Sequence, residues 1–118
     1  MKYNMGDIVW VTNLEDMEKI NNHLFVVIDD DGQVIPADYF GFIVSSNTDK
    51  SKENSPFKYN EPLNKNNINN LNEDSIVKCD QFYNIPSNSI NRKIGTVEPD
   101  ELNRFLVSYG DFLQSIED

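Results

Sequence analysis

The single histidine of the chain, His23, stands at the start of the strongest strand signal in the sequence, Leu24–Ile28. A neutral imidazole, with an unperturbed pKa of about 6.5, can take a proton from a substrate near neutral pH. The same position also suits a histidine that caps a turn or packs on Trp10. Both interpretations place His23 at a strand end, beside a polar loop.

A second group of polar side chains, Ser45–Thr48, follows another apolar run. Hydroxyl and amide groups at a strand end can hold phosphate oxygens or donate hydrogen bonds to a transition state. Such residues are also ordinary where a strand becomes a loop. The sequence has no glycine-rich phosphate loop and no GxSxG motif, so a phosphate site here would depend on separate side chains.

Two other features indicate structure rather than chemistry. Asp29–Asp31 do not have the spacing of a calcium loop, and turn acids exposed to solvent are the simpler interpretation. Cys79 lies in an alternating run that predicts a core position. With one cysteine and one histidine, the chain cannot form an intramolecular disulfide or a multi-thiolate zinc site, and no metal or cofactor is expected.

Short β-rich runs predict the elements that position these residues, five to seven strands in all. Asp29–Gly32 follows the strongest run and predicts a hairpin turn. The other predicted strands are Ile8–Val11, Gln33–Ile35 resuming at Tyr39–Ser45 after Pro36, Pro56–Tyr59, Ser75–Cys79 and Gln81–Ile85. A loop or short helical turn is predicted at Leu14–Asn22, a loop at Asn47–Ser55 and an irregular connection at Asn60–Asp74.

Apolar residues recur at spacings of three, four and seven from Leu102 to Ile116, which predicts an amphipathic C-terminal helix. Pro99 suits the first helical turn, and Asp100 and Glu101 favour the N-terminal end of the helix dipole. The order of elements predicts one domain, mainly β, in which the helix packs on a small curled sheet or partly open barrel.

The charge of the 118-residue chain is acidic, with 20 Asp and Glu against 10 Lys and Arg, a formal net charge of -10. Residues 98–118 contain six acids and one base, whereas residues 50–93 contain seven bases and five acids. A phosphate-binding face is therefore expected only locally, in the middle of the chain. Without a signal-peptide pattern or an apolar run of about 20 residues, the sequence predicts a cytoplasmic protein.

Six short motifs lie along the chain in a recognisable order. They are Gly6–Val11, His23–Ile28, Ile43–Thr48, Pro56-Phe57, Asp80-Gln81 and Gly95–Leu102. Their order and spacing resemble the MazF/PemK family of toxin–antitoxin endoribonucleases, over residues 5–113. The most distinctive match is Gly95–Leu102, which looks like the family's approach to its C-terminal helix.

The resemblance implies a single domain over residues 1–118 with an SH3-like, CcdB-type barrel and a C-terminal helix, working as a homodimer. It also implies metal-independent, sequence-selective cleavage of single-stranded RNA, and a cognate antitoxin protein as partner. In such a reaction a base deprotonates the ribose 2′-hydroxyl, an acid protonates the leaving 5′-oxygen, and cationic or hydroxyl donors stabilise the phosphate.

The sequence departs from the family at the site itself. The family's arginine falls on Leu24, its proline on Phe25, and a basic residue of the next motif on Tyr83. The sequence therefore predicts a rearranged site, and whether Ser46 or Thr48 takes the family's hydroxyl role stays open. The predicted roles are His23 as base, Thr48 and Ser46 as phosphate donors, and Lys50, Lys52, Gln81 and Tyr83 as substrate contacts.

A second interpretation keeps the fold and discards the catalysis. A non-catalytic module with an acidic surface would bind a basic protein partner, or would mimic nucleic acid. The nuclease is expected to bind single strands at low salt, and the module is not.

Overall fold

The computed structural model describes residues 2–12, 22–53 and 56–117. Within these ranges lie six strands, one α-helix, and 3₁₀ turns at Thr48–Lys50 and Ser87–Ser89. The strands are β1 (Asp7–Thr12), β2 (Asn22–Asp30), β3 (Asp38–Ser45), β4 (Asn60–Leu63), β5 (Ser75–Pro86) and β6 (Ile90–Thr96), and the helix is α1 (Pro99–Glu117). Among the described residues no helix combines the length and apolar character that crossing a membrane requires.

The six strands form one antiparallel sheet in the order β4-β5-β3-β2-β1-β6. The sheet does not close into a barrel, because β4 and β6 are its two edges. This confirms the predicted class, mainly β with one C-terminal helix, and the open form of the predicted barrel. The hairpin between β2 and β3 is also confirmed.

The helix α1 packs on one face of the sheet, mainly against β4 and β5. Ile8, Val26 and Phe42 point to this face and form a buried cluster with Phe105 of the helix. The predicted amphipathic pattern is thereby confirmed over the first half of α1. The last apolar position, Ile116, remains 64% exposed.

The opposite face has a buried cluster of its own. Val9, Phe25 and Val27 alternate with the residues that face the helix, and they pack with Tyr39 and Ile85. Since successive side chains of a strand point to opposite faces, burial on both faces requires a continuous apolar run. The prediction of buried strands over Ile8–Val11 and Leu24–Ile28 is confirmed.

The two predicted runs on either side of Asp80 are one long strand, β5. Val77 pairs with Val44, and Phe82 pairs with Phe42, so four residues of β5 lie opposite Ile43. A bulge of this kind lets one strand contain a stretch whose alternation is broken. The prediction of two separate strands is wrong for this reason.

Three other boundaries differ from the predictions. Pro56–Tyr59 is a turn, and the strand at this point is β4, which begins one residue later. Gln33–Ile35 is outside the sheet, with Val34 93% exposed. The edge strand β6 was not predicted, because its polar, exposed residues lack apolar alternation. Of the loop predicted at Leu14–Asn22, residues 14–21 lie outside the described residues.

The asparagine-rich connection between β4 and β5 is an ordered loop. Asn69 is fully buried, and its amide donates to the carbonyl of Asn64 while its oxygen accepts from the backbone of Asn66 and Leu71. The backbone of Thr96 donates to the carbonyl of Ile68, which attaches the loop to β6. Asparagine side chains therefore replace the missing strand or helix hydrogen bonds of this segment.

Candidate functional site

A row of directly paired residues crosses four strands on the face that also carries α1. Trp10 of β1 pairs with Leu24 of β2 on one side and with Arg92 of β6 on the other. Leu24 in turn pairs with Val44 of β3. Side chains of directly opposed residues point to the same face of a sheet, so these four lie side by side.

Two neighbouring cavities lie along this row and share Trp10, Leu24 and Asn72. We call the first, of about 280 Å³, the His23 cavity, and the second, of about 470 Å³, the Arg92 cavity. Together they form the Trp10 groove. The other residues of the His23 cavity are Asn22, His23, Val44, Ser45, Ser46, Leu71, Glu73 and Ser75, and those of the Arg92 cavity are Asn70, Arg92, Lys93 and Ile94.

His23 is half-buried at the start of β2, where it lines the cavity at the strand end. Because it alternates with Leu24 and its ring lies edge-on to Phe25, its imidazole is on the side of the sheet opposite the Trp10 row. Its Nδ1 accepts a hydrogen bond from the Leu24 backbone at 3.0 Å, and the Leu24 carbonyl lies 3.4 Å from the same nitrogen. Burial lowers the pKa of His23 below its usual value; the Leu24 carbonyl raises it and the Lys78 charge lowers it. The imidazole is therefore neutral at pH 7 and able to accept a proton.

The two contacts of Nδ1 are compatible with a hydrogen on either ring nitrogen. When Nδ1 accepts from the Leu24 N–H, the ring hydrogen is on Nε2. For Nε2 to take a proton from a substrate, the hydrogen must move to Nδ1, where the Leu24 carbonyl is the acceptor. The backbone of Leu24 thus supports both tautomers, a choice assigned from the hydrogen bonds.

The structure places one of the two predicted hydroxyl donors in the same cavity as His23. Ser46 lines this cavity, together with Ser45, whose Oγ accepts from the backbone of Asn47 at 3.2 Å. Thr48 begins the 3₁₀ turn that follows, and it is outside the residues that line the cavity. The ends of β2 and β3 meet here because the two strands are paired.

The two predicted lysine contacts are not in the groove. Lys52 forms an ion pair at 3.1 Å with Glu61, whose side chain is 5% exposed. Glu61 also contacts Arg104 at 3.2 Å and accepts from the hydroxyl of Ser108 at 2.8 Å. Lys50 ends the 3₁₀ turn with an exposed side chain. Lys52 thus shares the single charge of this buried carboxylate with Arg104.

Gln81 and Tyr83 lie beyond Phe25. The Tyr83 hydroxyl donates to Gln81 Oε1 at 2.7 Å, and its ring meets Phe25 edge-on with 5.5 Å between centroids. Burial and the nearby charge of Asp80 raise the pKa of Tyr83, so the phenol stays neutral. The Phe25 ring lies edge-on to both the Tyr83 ring and the His23 ring, and so lies between these two side chains.

Two residues of the groove were not predicted from the sequence. Glu73 belongs to the asparagine-rich loop, and Arg92 belongs to the unpredicted edge strand. Arg92 comes next to Trp10 through the pairing of β6 with β1. Glu73 lies just before β5, whose Ile76 pairs with Ser45 at the end of β3. A local sequence pattern has no signal for such pairings, although the scarcity of arginine, with two in the chain, singles out Arg92.

The remaining candidates have structural partners. The Asp31 carboxylate accepts from the backbone of Gln33, Ala37 and Asp38, which closes the turn before β3. Burial raises the pKa of the Cys79 thiol far above neutrality, so it is not a nucleophile at pH 7. Across the described ranges, no three His, Cys, Asp or Glu side chains gather as ligands for a metal ion.

An open six-stranded antiparallel sheet with one C-terminal helix is a fold that this chain shares with a solved toxin structure. The chain belongs to the PemK-like, MazF-like toxins of type II toxin–antitoxin systems, whose family model matches residues 4–106. No curated protein sequence matches the chain.

Solved structures share the fold at low sequence identity. An endoribonuclease from a mycobacterial species, in complex with its cognate antitoxin, has a TM-score of 0.72 at 10% identity over 96% of both chains. The Mycobacterium tuberculosis toxin MazF-mt6 has a TM-score of 0.64 at 14% identity, over 92% of this chain and 96% of that one. A second mycobacterial endoribonuclease has a TM-score of 0.66 at 11% identity, over 97% and 94%.

Proposed function

We propose that this toxin is a sequence-selective endoribonuclease of the cytoplasm that cleaves single-stranded RNA without a metal ion. Family membership supports this proposal, and two of the structural neighbours are described as endoribonucleases. The observation that carries it is the presence of His23 and Ser46 in one cavity, at the ends of two paired strands. Unpaired RNA fits such an open groove because its bases expose their edges.

The proposed reaction is an internal phosphoryl transfer. The neutral His23 takes the proton of a ribose 2′-hydroxyl, whose oxygen attacks the adjacent phosphorus. The bond from phosphorus to the 5′-oxygen breaks, and this oxygen takes a proton from water at the open mouth of the cavity. The products are a 2′,3′-cyclic phosphate and a 5′-hydroxyl, and the Ser46 hydroxyl donates to a phosphate oxygen during the attack.

The direct test is incubation of the protein with a long single-stranded RNA in excess EDTA, beside His23→Ala. We expect discrete fragments with 5′-hydroxyl ends from the wild type, and a rate at least about 100-fold lower for the variant. Circular dichroism shows whether the variant is folded. Fragments of equal yield from both proteins would keep the nuclease and remove His23 from the chemistry.

The choice between the two hydroxyl donors needs a separate pair of variants. Removing a donor to the transition state costs on the order of 100-fold in rate. We expect this loss for Ser46→Ala and little change for Thr48→Ala, because only Ser46 lines the cavity. Ser115→Ala, on the exposed end of α1, is the matched control. The reverse pattern would assign the role to Thr48.

The other predicted contacts are proposed as secondary binding residues outside the cavity. Lys50 has an exposed ammonium that can meet the RNA backbone, and the ion pair with Glu61 makes Lys52 the weaker contact. Gln81 and Tyr83 are proposed to contact a base of the RNA, since their side chains form one hydrogen-bonded unit. Each substitution is expected to change the affinity for RNA more than the cleavage rate.

The partners proposed from the family are a cognate antitoxin and a second copy of the chain. One structural neighbour is described as a complex with its cognate antitoxin. Analytical ultracentrifugation at micromolar concentration tests the homodimer, and a monomer would contradict it.

The second candidate function is a non-catalytic protein-binding module. The observation that favours it is the end of α1, where Leu113 is 38% and Ile116 64% exposed on an acidic helix. Intact RNA with folded wild-type protein, in the EDTA experiment, would select this candidate. A basic, amphipathic peptide would then be the expected ligand.

A further inference from the structure

The cations of this acidic chain differ in how far their charge is compensated. Lys93 lies 3.2 Å from the buried carboxylate of Asp7, while Lys52 and Arg104 both contact Glu61. Arg92 is exposed and, across the described ranges, forms no ion pair with a carboxylate. Its guanidinium is therefore the cation of the groove that can give its charge to a ligand.

Trp10 lies beside this uncompensated cation. It is the only tryptophan in the chain, is half-buried, and lines both cavities. Stacking on an aromatic side chain contributes about 1–3 kcal/mol per base in single-strand binding. A half-exposed indole with an adjacent guanidinium is therefore the combination that a nucleotide recognises.

Two amide side chains form part of the wall of the Arg92 cavity. Asn70, at a φ of 56°, donates from its side chain to the carbonyl of Ile94 at 2.8 Å, which fixes the wall to β6. Asn72 lines both cavities. An asparagine amide offers both a donor and an acceptor, as the edge of a base requires.

The spacing of the strands connects this cavity to the His23 cavity. Arg92, Trp10 and Leu24 occupy adjacent strands, so Arg92 and Leu24 are separated by two strand spacings, on the order of 10 Å. Leu24 itself is apolar and brings no charge to the groove. The charge that could hold a phosphate there must come from elsewhere, and Arg92 is in place for it.

We propose that the Arg92 cavity is a nucleotide-binding subsite next to the cleavage site. A base stacks on Trp10, the guanidinium of Arg92 binds the phosphate of that nucleotide, and Asn70 and Asn72 meet the base edge. RNA as the ligand rests on the proposed function, so binding is measured separately from cleavage. Arg92 is a binding and positioning residue, and His23 remains the base.

The experiment uses the fluorescence of Trp10, since no other tryptophan contributes to the emission. The probe is a short single-stranded 2′-O-methyl oligoribonucleotide of mixed sequence, which lacks the 2′-hydroxyl and cannot be cleaved by the proposed reaction. We expect saturable quenching by the probe. Arg92→Gln should raise the Kd about tenfold and lower the slope of log K against log salt by about 0.7.

Two variants complete the design. Lys58→Gln removes one positive charge from an exposed side chain that packs on Tyr59 outside the groove, and it should change Kd less than about twofold. Arg92→Lys keeps the charge without the planar, bidentate group and should fall between the wild type and Arg92→Gln. Because Arg92 is exposed on an edge strand, its replacement is not expected to unfold the protein.

The outcomes separate the two proposals. Equal Kd values for Arg92→Gln and Lys58→Gln would overturn the subsite, as would binding seen by fluorescence anisotropy without any change in Trp10 emission. Arg92-dependent quenching in a protein that cleaves no RNA would support the subsite and refute the nuclease. Cleavage with an Arg92-independent Kd would refute the subsite alone.

Discussion

The two cavities of the Trp10 groove differ in chemistry although they share three lining residues, Trp10, Leu24 and Asn72. The His23 cavity is lined by a histidine, three serines and Glu73, and its described lining includes no cation. The Arg92 cavity is lined by two cations and two amides, and its described lining includes no histidine or carboxylate. Under the proposed function, an RNA strand uses both kinds of group and therefore spans both cavities.

The difference follows from where each end lies in the sheet. The His23 cavity is built at the ends of the central strands β2 and β3, with a core leucine, Leu71, at its base. Burial there keeps the imidazole neutral. The Arg92 cavity lies against the edge strand β6, where charged side chains stay in water and keep their charge.

Gly95→Ala should disrupt the asparagine-rich wall of the Arg92 cavity. Of the groove variants, we expect it to have the largest effect on stability. A Cβ at Gly95 would lie 2.3 Å from the carbonyl oxygen of Asn69, so the asparagine-rich wall must move. Overpacking of this kind costs about 2 kcal/mol in the free energy of unfolding, measurable by urea titration. Gly110→Ala meets nothing within 4 Å in the helix and should stabilise by up to about 1 kcal/mol. Equal effects of the two variants would contradict the tight contact.

The pH dependence should distinguish the two cavities. Below the pKa of His23, kcat/KM should fall about tenfold for each pH unit, whereas the Kd should not. A general base acts when neutral, so kcat/KM should fall as the pH drops through the pKa of His23, which burial holds below about 6.5. The Kd of the uncleavable oligonucleotide should stay nearly constant from about pH 5.5 to 8, because an arginine remains protonated there. A rate that reaches its plateau only above pH 7 would point to another base.

Leu24→Arg tests whether a charge elsewhere in the groove can replace that of Arg92. Its expected effect on affinity is smaller. Leu24 lines both cavities and is half-buried, and a long arginine stem can lie on apolar surface while its head reaches water. In the Arg92→Gln background, this substitution should recover about fivefold in affinity. The matched control is Leu24→Gln in the same background, which has no charge to contribute. Equal Kd values for the two double variants would show that the position of the charge does not matter.

The fold was predictable where a segment's own pattern determines its environment. The apolar runs of β1 and β2 and the helical spacing of α1 are local, and their predictions are confirmed. The edge strands β4 and β6 were not predicted correctly. They form through pairing with distant strands rather than through their own apolar pattern. The bulge in β5 depends equally on its partner strand β3.

The site was predictable to the same extent. His23 and Ser46 end neighbouring strands, and a hairpin predicted from Asp29–Gly32 is enough to bring them together. Arg92 joins them only through the pairing of β6 with β1, two strands far apart in the sequence. Likewise Lys52 seemed available for RNA until Glu61, from β4, was placed beside it.

The most direct test of the two-ended groove is a crossed measurement on His23→Ala and Arg92→Gln. The Kd of the uncleavable oligonucleotide and the single-turnover cleavage rate at saturating RNA are determined for each variant. We predict that His23→Ala lowers the rate at least about 100-fold with an unchanged Kd, and that Arg92→Gln raises the Kd about tenfold with a nearly unchanged rate. If both variants change the same parameter, or if neither changes anything, the division of labour along the groove is contradicted.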